Sequence, residues 1–201
     1  MFNTELLIYV AHLAFWAAFG VARAVTTTTG ARRSEPRPTN QAAKTEEVAP
    51  WSRTVLAVHA LAFGVMYFGV GAAVIPHRVP PWFHGQRVVG VCIIGLGAFL
   101  ASWAIASFRS WRLRAKLEQG HQLATQGAFR LLRHPIYMGL NLLALGTAVW
   151  VPTVAVWLGA ALMWVGSELR ARIEERLLIK VFGSAYEAYC SRTRRFIPGI
   201  Y

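Results

Sequence analysis

Long apolar runs, separated by short polar segments, dominate the first half of the chain. Three of these runs, at residues 6–25, 54–75 and 88–108, each have about the 20 residues that an α-helix needs to cross a bilayer. The third run contains Gly90 and Gly97 on a face of small residues, together with Gly95, as is typical of helices that pack closely in lipid. The pattern therefore predicts three membrane-spanning helices.

Two shorter apolar segments follow, at residues 136–149 and 153–165, and Pro152 lies in the break between them. Each segment is short against a hydrocarbon core of about 30 Å, so we predict a tight, tilted hairpin. Its second helix is predicted to continue out of the membrane and to end at Gly183. Beyond Ser167 this helix has apolar residues at helical spacing: Leu169, Ile173, Leu177 and Val181. The predicted fold is an all-α integral membrane protein with about five crossings, a short C-terminal helical hairpin and a cytoplasmic region after it.

Composition agrees with this fold class. The 201 residues are 55% hydrophobic and 15% charged, with eight Trp, which is typical of a membrane protein. The net charge of +12 does not indicate nucleic-acid binding, because the basic residues lie between apolar runs and form no continuous face. Residues 26–50 combine Thr, Pro and charge, which predicts a disordered loop. We therefore divide the chain into 1–50, a helix with a disordered loop, and 51–201, the main domain.

The distribution of positive charge predicts the orientation. With the N-terminus outside, five crossings place all of the 21 Lys and Arg residues on the cytoplasmic side except Arg78 and Arg87. Positive residues favour the cytoplasmic side of a cell's inner membrane, so the C-terminus is predicted to be cytoplasmic. Residues 1–5 lack the positive segment of a signal peptide, which predicts that the first apolar run is retained.

Two charged clusters lie where the hairpin is predicted to meet the cytosol. In the first, Pro135 suits the first turn of a helix and places Arg133 and His134 beside free N–H groups that favour an anion. In the second, Arg170 and Glu174 are four residues apart on one helix face. A surface ion pair worth about 0.3–0.5 kcal/mol is the alternative interpretation of that spacing.

Metal and haem sites are not indicated. Cys92 and Cys190 have no zinc-binding spacing with histidine. Haem binding through His12, His59 or His134 is disfavoured, because His12 and His59 have no second feature beyond their place in an apolar run. We expect His12 to be a helix-packing residue.

Residues 127–139 read Gly-Ala-Phe-Arg-Leu-Leu-Arg-His-Pro-Ile-Tyr-Met-Gly and resemble the signature of the isoprenylcysteine carboxyl methyltransferase family. This broad group has bacterial relatives and is similar to the phospholipid N-methyltransferases. A later part of the chain matches too, and the resemblance covers about residues 88–198. The matching residues of that part are Arg170, Glu174, Glu175, Leu178, Phe182, Gly183, Tyr186, Tyr189, Arg195, Phe196, Ile197 and Pro198.

The resemblance implies S-adenosylmethionine as the methyl donor, bound without a Rossmann fold. Together with the donor's charges, it implies cofactor contacts at His121, Gln122, Leu123, Ala124, Phe129, Arg133, His134, Pro135, Ile136, Tyr137 and Glu174. Arg170 stands at the position of the methyl-accepting substrate, and we assign catalytic roles to Arg170 and Glu174. Phe129 departs from the Tyr that the family often has, which removes a hydroxyl contact and keeps the ring.

The resemblance implies a lipophilic methyl acceptor, and it favours the carboxylate of an isoprenoid-type compound over other acceptors. A phospholipid amine or a hydrophobic thiol is the alternative, and either would need a base that the sequence does not single out. A function of another class, a non-catalytic membrane protein that keeps the fold, is disfavoured by the two intact clusters. The expected partners are a lipophilic substrate and the membrane, without nucleic acid or metal.

Overall fold

The computed structural model describes residues 4–31, 52–107 and 123–201, and these parts are helical apart from short connections. The helices are α1 (Leu7–Ala31), α2 (Ser52–Val74), α3 (Gln86–Ser107), α4 (Pro135–Trp150), α5 (Val154–Phe182) and α6 (Ser184–Arg192). Short 3-10 helices precede α1 and α4, at Thr4–Leu6 and Gly127–Arg130. The predicted all-α fold is confirmed, and the predicted ends of α2, α3 and α4 lie close to the observed ones.

Within the described residues, four helices, α1, α2, α3 and α5, are long and apolar enough to cross a membrane. The predicted hairpin is present: α4 ends at Trp150, α5 begins at Val154, and Gly183 ends α5 with a positive φ of 50°. At 16 residues, α4 is about 24 Å long and shorter than the hydrocarbon core. A fifth crossing therefore depends on α4 and stays a prediction.

The first helix extends beyond the predicted span. We expected residues 26–50 to be disordered, but α1 continues to Ala31. The hydroxyls of Thr26, Thr27 and Thr28 donate to backbone carbonyls three and four residues earlier, at 2.9–3.1 Å, which keeps these side chains compatible with a helix. That expectation is wrong for residues 26–31, and the rest of the segment lies outside the described residues.

Helices α3 and α4 approach each other at two glycine contacts. A Cβ on Gly90 would lie 2.8 Å from the Gly146 carbonyl oxygen, and a Cβ on Gly97 would lie 2.7 Å from that of Gly139. The two backbones are so close that no side chain would fit between them at these positions. This close approach agrees with the small-residue face predicted for α3. Gly95 is the exception, since it has nothing within 4 Å.

A chain of hydrogen bonds ties α1, α2 and α4 together inside the apolar core. The Thr147 hydroxyl donates its single proton to the Leu143 carbonyl at 2.6 Å. Its Oγ1 can therefore only accept in its second bond, which comes from His12 Nε2 at 2.8 Å. His12 Nδ1 then accepts from the Tyr67 hydroxyl at 2.9 Å, and that oxygen accepts from Trp16 Nε1 at 3.2 Å. The chain is complete, so His12 is a helix-packing residue as predicted.

The C-terminal part of α5 leaves some residues of its apolar stripe exposed. Leu169 and Val181 are exposed, whereas Ser167, Ala171 and Glu175 form the buried face. Ile173 and Leu177 of the same stripe are half-buried, so the stripe lies at the edge of the buried face. Glu175 on this buried face contacts the charged loop before α4, described below.

The segment after α6 folds back onto the loop that precedes α4. Leu132 and Arg194 form a parallel β-bridge, and the Phe196 side chain is fully buried. Its ring lies 5.5 Å from that of Trp164 on α5 and 6.1 Å from that of His134. The end of the chain thus joins the two charged clusters.

Candidate active site

The first charged cluster lies at the start of α4, as predicted. Pro135 occupies the first turn and His134 is the N-cap residue, with φ of −127°. The Arg133 and His134 amides donate to the Arg194 and Arg195 carbonyls, at 2.7 and 3.2 Å. The backbone on both sides of the His134 ring is therefore fixed by the C-terminal segment.

Glu175 is the central anion of this region. Its Oε1 accepts from Arg133 Nε at 2.9 Å, from His134 Nε2 at 3.2 Å and from Arg195 Nε at 3.1 Å. Its Oε2 accepts from Arg195 Nη2 at 2.6 Å. Hydrogen bonding to Glu175 raises the pKa of Arg195, despite partial burial. Arg133 also donates to the Thr193 carbonyl at 2.7 Å, so its guanidinium is bonded within the protein.

Glu174 lies on the neighbouring face and has a separate set of partners. The Tyr137 hydroxyl donates to its Oε1 at 2.5 Å, and Arg170 Nε donates to the same oxygen at 3.3 Å. Its Oε2 lies 3.7 Å from His134 Nδ1. The Glu174 side chain keeps 24% of its surface exposed, against 11% for Glu175, so Glu174 is the more accessible of the two carboxylates.

Aromatic contacts order the same corner. The rings of His134 and Tyr137 stack with centroids 5.7 Å apart, and the Arg170 guanidinium lies 5.8 Å from the centroid of Tyr137. Because His134 Nε2 donates to Glu175, the Nδ1 of a neutral ring is a lone-pair acceptor that faces Glu174. Two acceptors 3.7 Å apart suit a cationic donor such as an ammonium group.

The structure brings most predicted site residues to this corner. Tyr137, His134 and Arg170 each lie against Glu174, and Phe129 lies half-buried in the 3-10 helix before them. Leu123 and Ala124 precede that helix and are half-buried. His121 and Gln122 lie outside the described residues. The Ile136 side chain packs instead with Ala104, Ile105 and Ala128, so any contact that Ile136 makes with a ligand is through its backbone.

Sequence reasoning missed five residues of this region. The missed residues are Glu175 and Arg195, which hold the His134 loop, and His59, Asn141 and Ser167, which lie on the membrane side of Tyr137. Spacing contained a signal for two of them. Asn141 follows Tyr137 by four residues and Ser167 precedes Arg170 by three, so each shares a helix face with a predicted site residue. No comparable signal identifies His59.

No group of three metal-binding side chains occurs within residues 4–31, 52–107 and 123–201. The site in these residues consists of carboxylates, a histidine, arginines and aromatic rings. Such groups bind a charged organic ligand through ion pairs and stacking. They also lie next to the apolar helices α4 and α5.

Comparison with known proteins agrees with this site. The family model described as phospholipid methyltransferase matches residues 86–185. A probable protein-S-isoprenylcysteine O-methyltransferase from Oryza sativa subsp. indica is 31% identical over 148 residues, which is 71% of this chain and 76% of the relative. Protein-S-isoprenylcysteine O-methyltransferase B from Arabidopsis thaliana is 32% identical over 114 residues, covering 54% of this chain and 57% of that enzyme.

The fold is also that of a solved structure. The eukaryotic intramembrane Ras methyltransferase, an isoprenylcysteine carboxyl methyltransferase, superposes with a TM-score of 0.60 over 98% of this chain and 68% of that one, at 20% identity. The helices and the charged corner thus define an integral membrane methyltransferase. The chain belongs to the isoprenylcysteine carboxyl methyltransferase family. Enzymes of this family take their methyl group from S-adenosylmethionine.

Proposed function

We propose that this protein transfers a methyl group from S-adenosylmethionine to the carboxylate of an isoprenylcysteine-type acceptor. The observation that carries the proposal is the position of Glu174, which Tyr137, Arg170 and His134 surround at the end of a membrane helix. We further propose that the N-terminus is outside and that this corner faces the cytoplasm. Residues 51–201 form the methyltransferase domain, and residues 1–50 extend it.

The chemistry of the corner fits the donor. The methionine part of S-adenosylmethionine is a zwitterion, and its sulfonium adds a positive charge and supplies the methyl group when bound. The acceptor pair of His134 Nδ1 and Glu174 suits the ammonium. The free N–H groups in the first turn of α4 suit the carboxylate. Rings at Phe129 and Tyr137 offer stacking surfaces.

Arg170 is the residue that we assign to the acceptor. It lies one turn along α5 from Glu174, on the membrane side, and its side chain is 17% exposed. A carboxylate acceptor is already ionised at neutral pH, so the protein need not remove a proton from it. Arg170 would neutralise that carboxylate and align it, because in-line transfer depends mainly on holding the two groups at the correct distance. The apolar helices around the corner exclude water from the reaction.

Methylation of a phospholipid amine is the second candidate, because the matching family model is described by that activity. An ammonium headgroup must lose a proton before it can attack a methyl group. The two candidates therefore make opposite demands on the site. A carboxylate needs a cation such as Arg170, whereas an amine needs a base.

A methyl-transfer assay distinguishes these functions. Purified protein in nanodiscs is given S-adenosylmethionine with a radiolabelled methyl group and either N-acetyl-S-farnesylcysteine or phosphatidylethanolamine. We expect label in the farnesylcysteine, released as methanol by mild base because a methyl ester is formed. Base-stable label in the phospholipid instead would favour the second candidate. Folded protein that methylates neither compound would contradict both.

A further inference from the structure

An open groove lies between α2 and the start of α5, at the end of the helix bundle opposite the charged corner. Its volume is about 190 Å³. Most of its wall is apolar and consists of Phe68, Gly69, Ala72, Ala73 and Ala155. Two polar residues, Arg78 and Thr153, also line it.

The groove extends from the apolar part of the bundle to the membrane surface. Its α2 residues belong to an apolar span that ends at Val74, and the span of α5 begins at Val154. Phe68 is six residues before the end of α2, a rise of about 9 Å. The apolar wall therefore lies near the edge of the hydrocarbon layer, and the two polar residues lie past the helix ends, where lipid headgroups are found.

A left-handed turn holds Arg78 in this position. His77 has a φ of 56°, a conformation that few residues other than glycine adopt. Its amide donates to the Val74 carbonyl at 3.2 Å. The Arg78 amide donates to the Ala73 carbonyl at 2.7 Å, which completes a Schellman motif. The chain therefore folds back over the end of α2, and this brings Arg78 to the groove.

Arg78 differs from the other cations at this end of the bundle. Glu5 is the only acidic side chain that the structure describes here, and its carboxylate oxygens lie 3.5 Å from His77 Nδ1 and 3.6 Å from Arg87 Nη2. The Arg78 guanidinium has no hydrogen bond or ion pair within residues 4–31, 52–107 and 123–201. An anion that enters the groove therefore meets an uncompensated positive charge.

Thr153 adds a hydroxyl to the same groove. Its Oγ1 accepts from the Val156 amide at 3.3 Å, and its hydrogen has no acceptor in the described part of the chain, so it can donate to an anion. An arginine and a hydroxyl beside an apolar wall suit a phosphate attached to a hydrocarbon chain. A soluble anion would leave the apolar wall uncovered, and a neutral lipid would leave Arg78 without an anion.

We propose that this groove binds an anionic phospholipid. One acyl chain lies along α2 between Phe68 and Ala72, and the phosphate accepts from Arg78 and Thr153. Phosphatidylglycerol has the required negative headgroup. Phosphatidylcholine has the same phosphate, but its trimethylammonium group finds no free acidic partner at this end of the bundle. The site is separate from the charged corner, so it does not depend on the proposed function.

Photocross-linking tests the site directly. Phe68, whose side chain is 73% exposed, is replaced by photoreactive p-benzoylphenylalanine, and the whole chain is placed in vesicles of equal parts phosphatidylglycerol and phosphatidylcholine. Mass spectrometry of the cross-linked peptide measures the ratio of the two lipids. Arg78→Gln removes the charge, and Ala72→Phe fills the groove. Arg87→Gln is the matched control, because Arg87 is a cation at the same end that pairs with Glu5.

We expect phosphatidylglycerol to be favoured by about fivefold, the ratio that one basic residue near a membrane surface gives. Arg78→Gln should bring the ratio close to one, because the headgroup loses its cation. Ala72→Phe should also lower it, because chain and headgroup can no longer be bound together. Arg87→Gln should keep the preference. In detergent without phosphatidylglycerol, Arg78→Gln should melt at the wild-type temperature, because no contact within the protein is lost.

Several results would overturn the proposal. A ratio near one with Arg78 in place, or an unchanged ratio in Arg78→Gln, would show that this arginine selects no lipid. An equal loss in Arg87→Gln would indicate general attraction of anionic lipid to this surface. An unchanged ratio in Ala72→Phe would mean that the groove takes no part. A cross-link to a second copy of the chain would show that protein covers the groove instead.

Discussion

Glu175 and His134 are 41 residues apart in sequence, and the carboxylate accepts from the imidazole Nε2 at 3.2 Å. The contact fixes which nitrogen of His134 faces Glu174. We predict that Glu175→Gln destabilises the protein by about 3 kcal/mol, because Arg133 and Arg195 would lose their shared anion in a buried setting. Thermal unfolding in detergent measures this. Glu187→Gln, on the exposed side of α6, is the control, and equal melting temperatures for the two variants would contradict the anchoring role.

We predict that substitutions of Glu174 and Arg170 have different effects, because Glu174 is assigned to the methyl donor and Arg170 to the acceptor. Glu174→Gln is expected to weaken S-adenosylmethionine binding by about 1.5–3 kcal/mol, because a charge-assisted hydrogen bond is lost. Arg170→Ala should keep donor binding and lower turnover. Calorimetry and methyl transfer are measured for both variants.

The direct bond between these residues means that the two effects will be partly coupled. If the pair were only an ion pair, both variants would change stability by a few tenths of a kcal/mol and leave binding and turnover intact. Equal loss of donor binding in both variants would refute the division of roles.

Close packing of α3 on α4 predicts a contrast between two glycines of one helix. Gly97→Ala should destabilise by about 1–3 kcal/mol, since the new Cβ would lie 2.7 Å from the Gly139 carbonyl oxygen. Gly95→Ala has open space and should be neutral or slightly stabilising, because alanine favours a helix. Melting temperatures of the two variants test this, and a similar loss in both would argue against the contact.

The hydrogen-bond network around His12 predicts that the Tyr67 hydroxyl contributes to the stability of the protein. Tyr67→Phe removes the donor to His12 and the acceptor for Trp16, so we expect a loss of about 1–3 kcal/mol. Tyr9→Phe is the matched control on the exposed surface of α1. Denaturant or thermal unfolding of both variants provides the comparison. A Tyr67→Phe protein as stable as the Tyr9 variant would show that the network contributes nothing.

Topology is tested by cysteine labelling in a protein without Cys92 and Cys190. We predict that a cysteine at His84 reacts with a membrane-impermeant reagent added outside intact cells, whereas one at Ser184 reacts only after lysis. Both positions are exposed. Labelling of position 184 from outside would reverse the proposed orientation.

Apolar periodicity was sufficient to predict where the helices lie in the sequence, but it did not predict which face of each helix is buried. It predicted α2, α3 and the α4–α5 hairpin, because length and turn residues determine helix ends. The spacing from Leu169 to Val181 predicted a helix but not which side of it is buried, since spacing does not tell protein from lipid when both are apolar. Thr26 to Thr28 were misjudged because their hydroxyls bond to the helix itself.

For the site, the family resemblance identified the charged corner, and the structure added what supports it. Glu174 and Glu175 are adjacent in sequence, so only the rotation of α5 shows that one is accessible and the other is an anchor. His59 was judged to lack a second feature because that feature, Ser167, lies 108 residues away.

Helix α5 is a single rod that begins at Val154, directly after the hairpin, and ends at Phe182, beyond the charged corner. Its 29 residues span about 43 Å, and Glu174 lies about 30 Å from Val154. A change in the tilt of such a rod displaces its residues by an amount that grows with their distance from Val154. Because α4 is a separate and shorter helix, a small tilt of α5 against it would change the spacing between Glu174 and Tyr137, so their hydrogen bond depends on how the start of α5 is held.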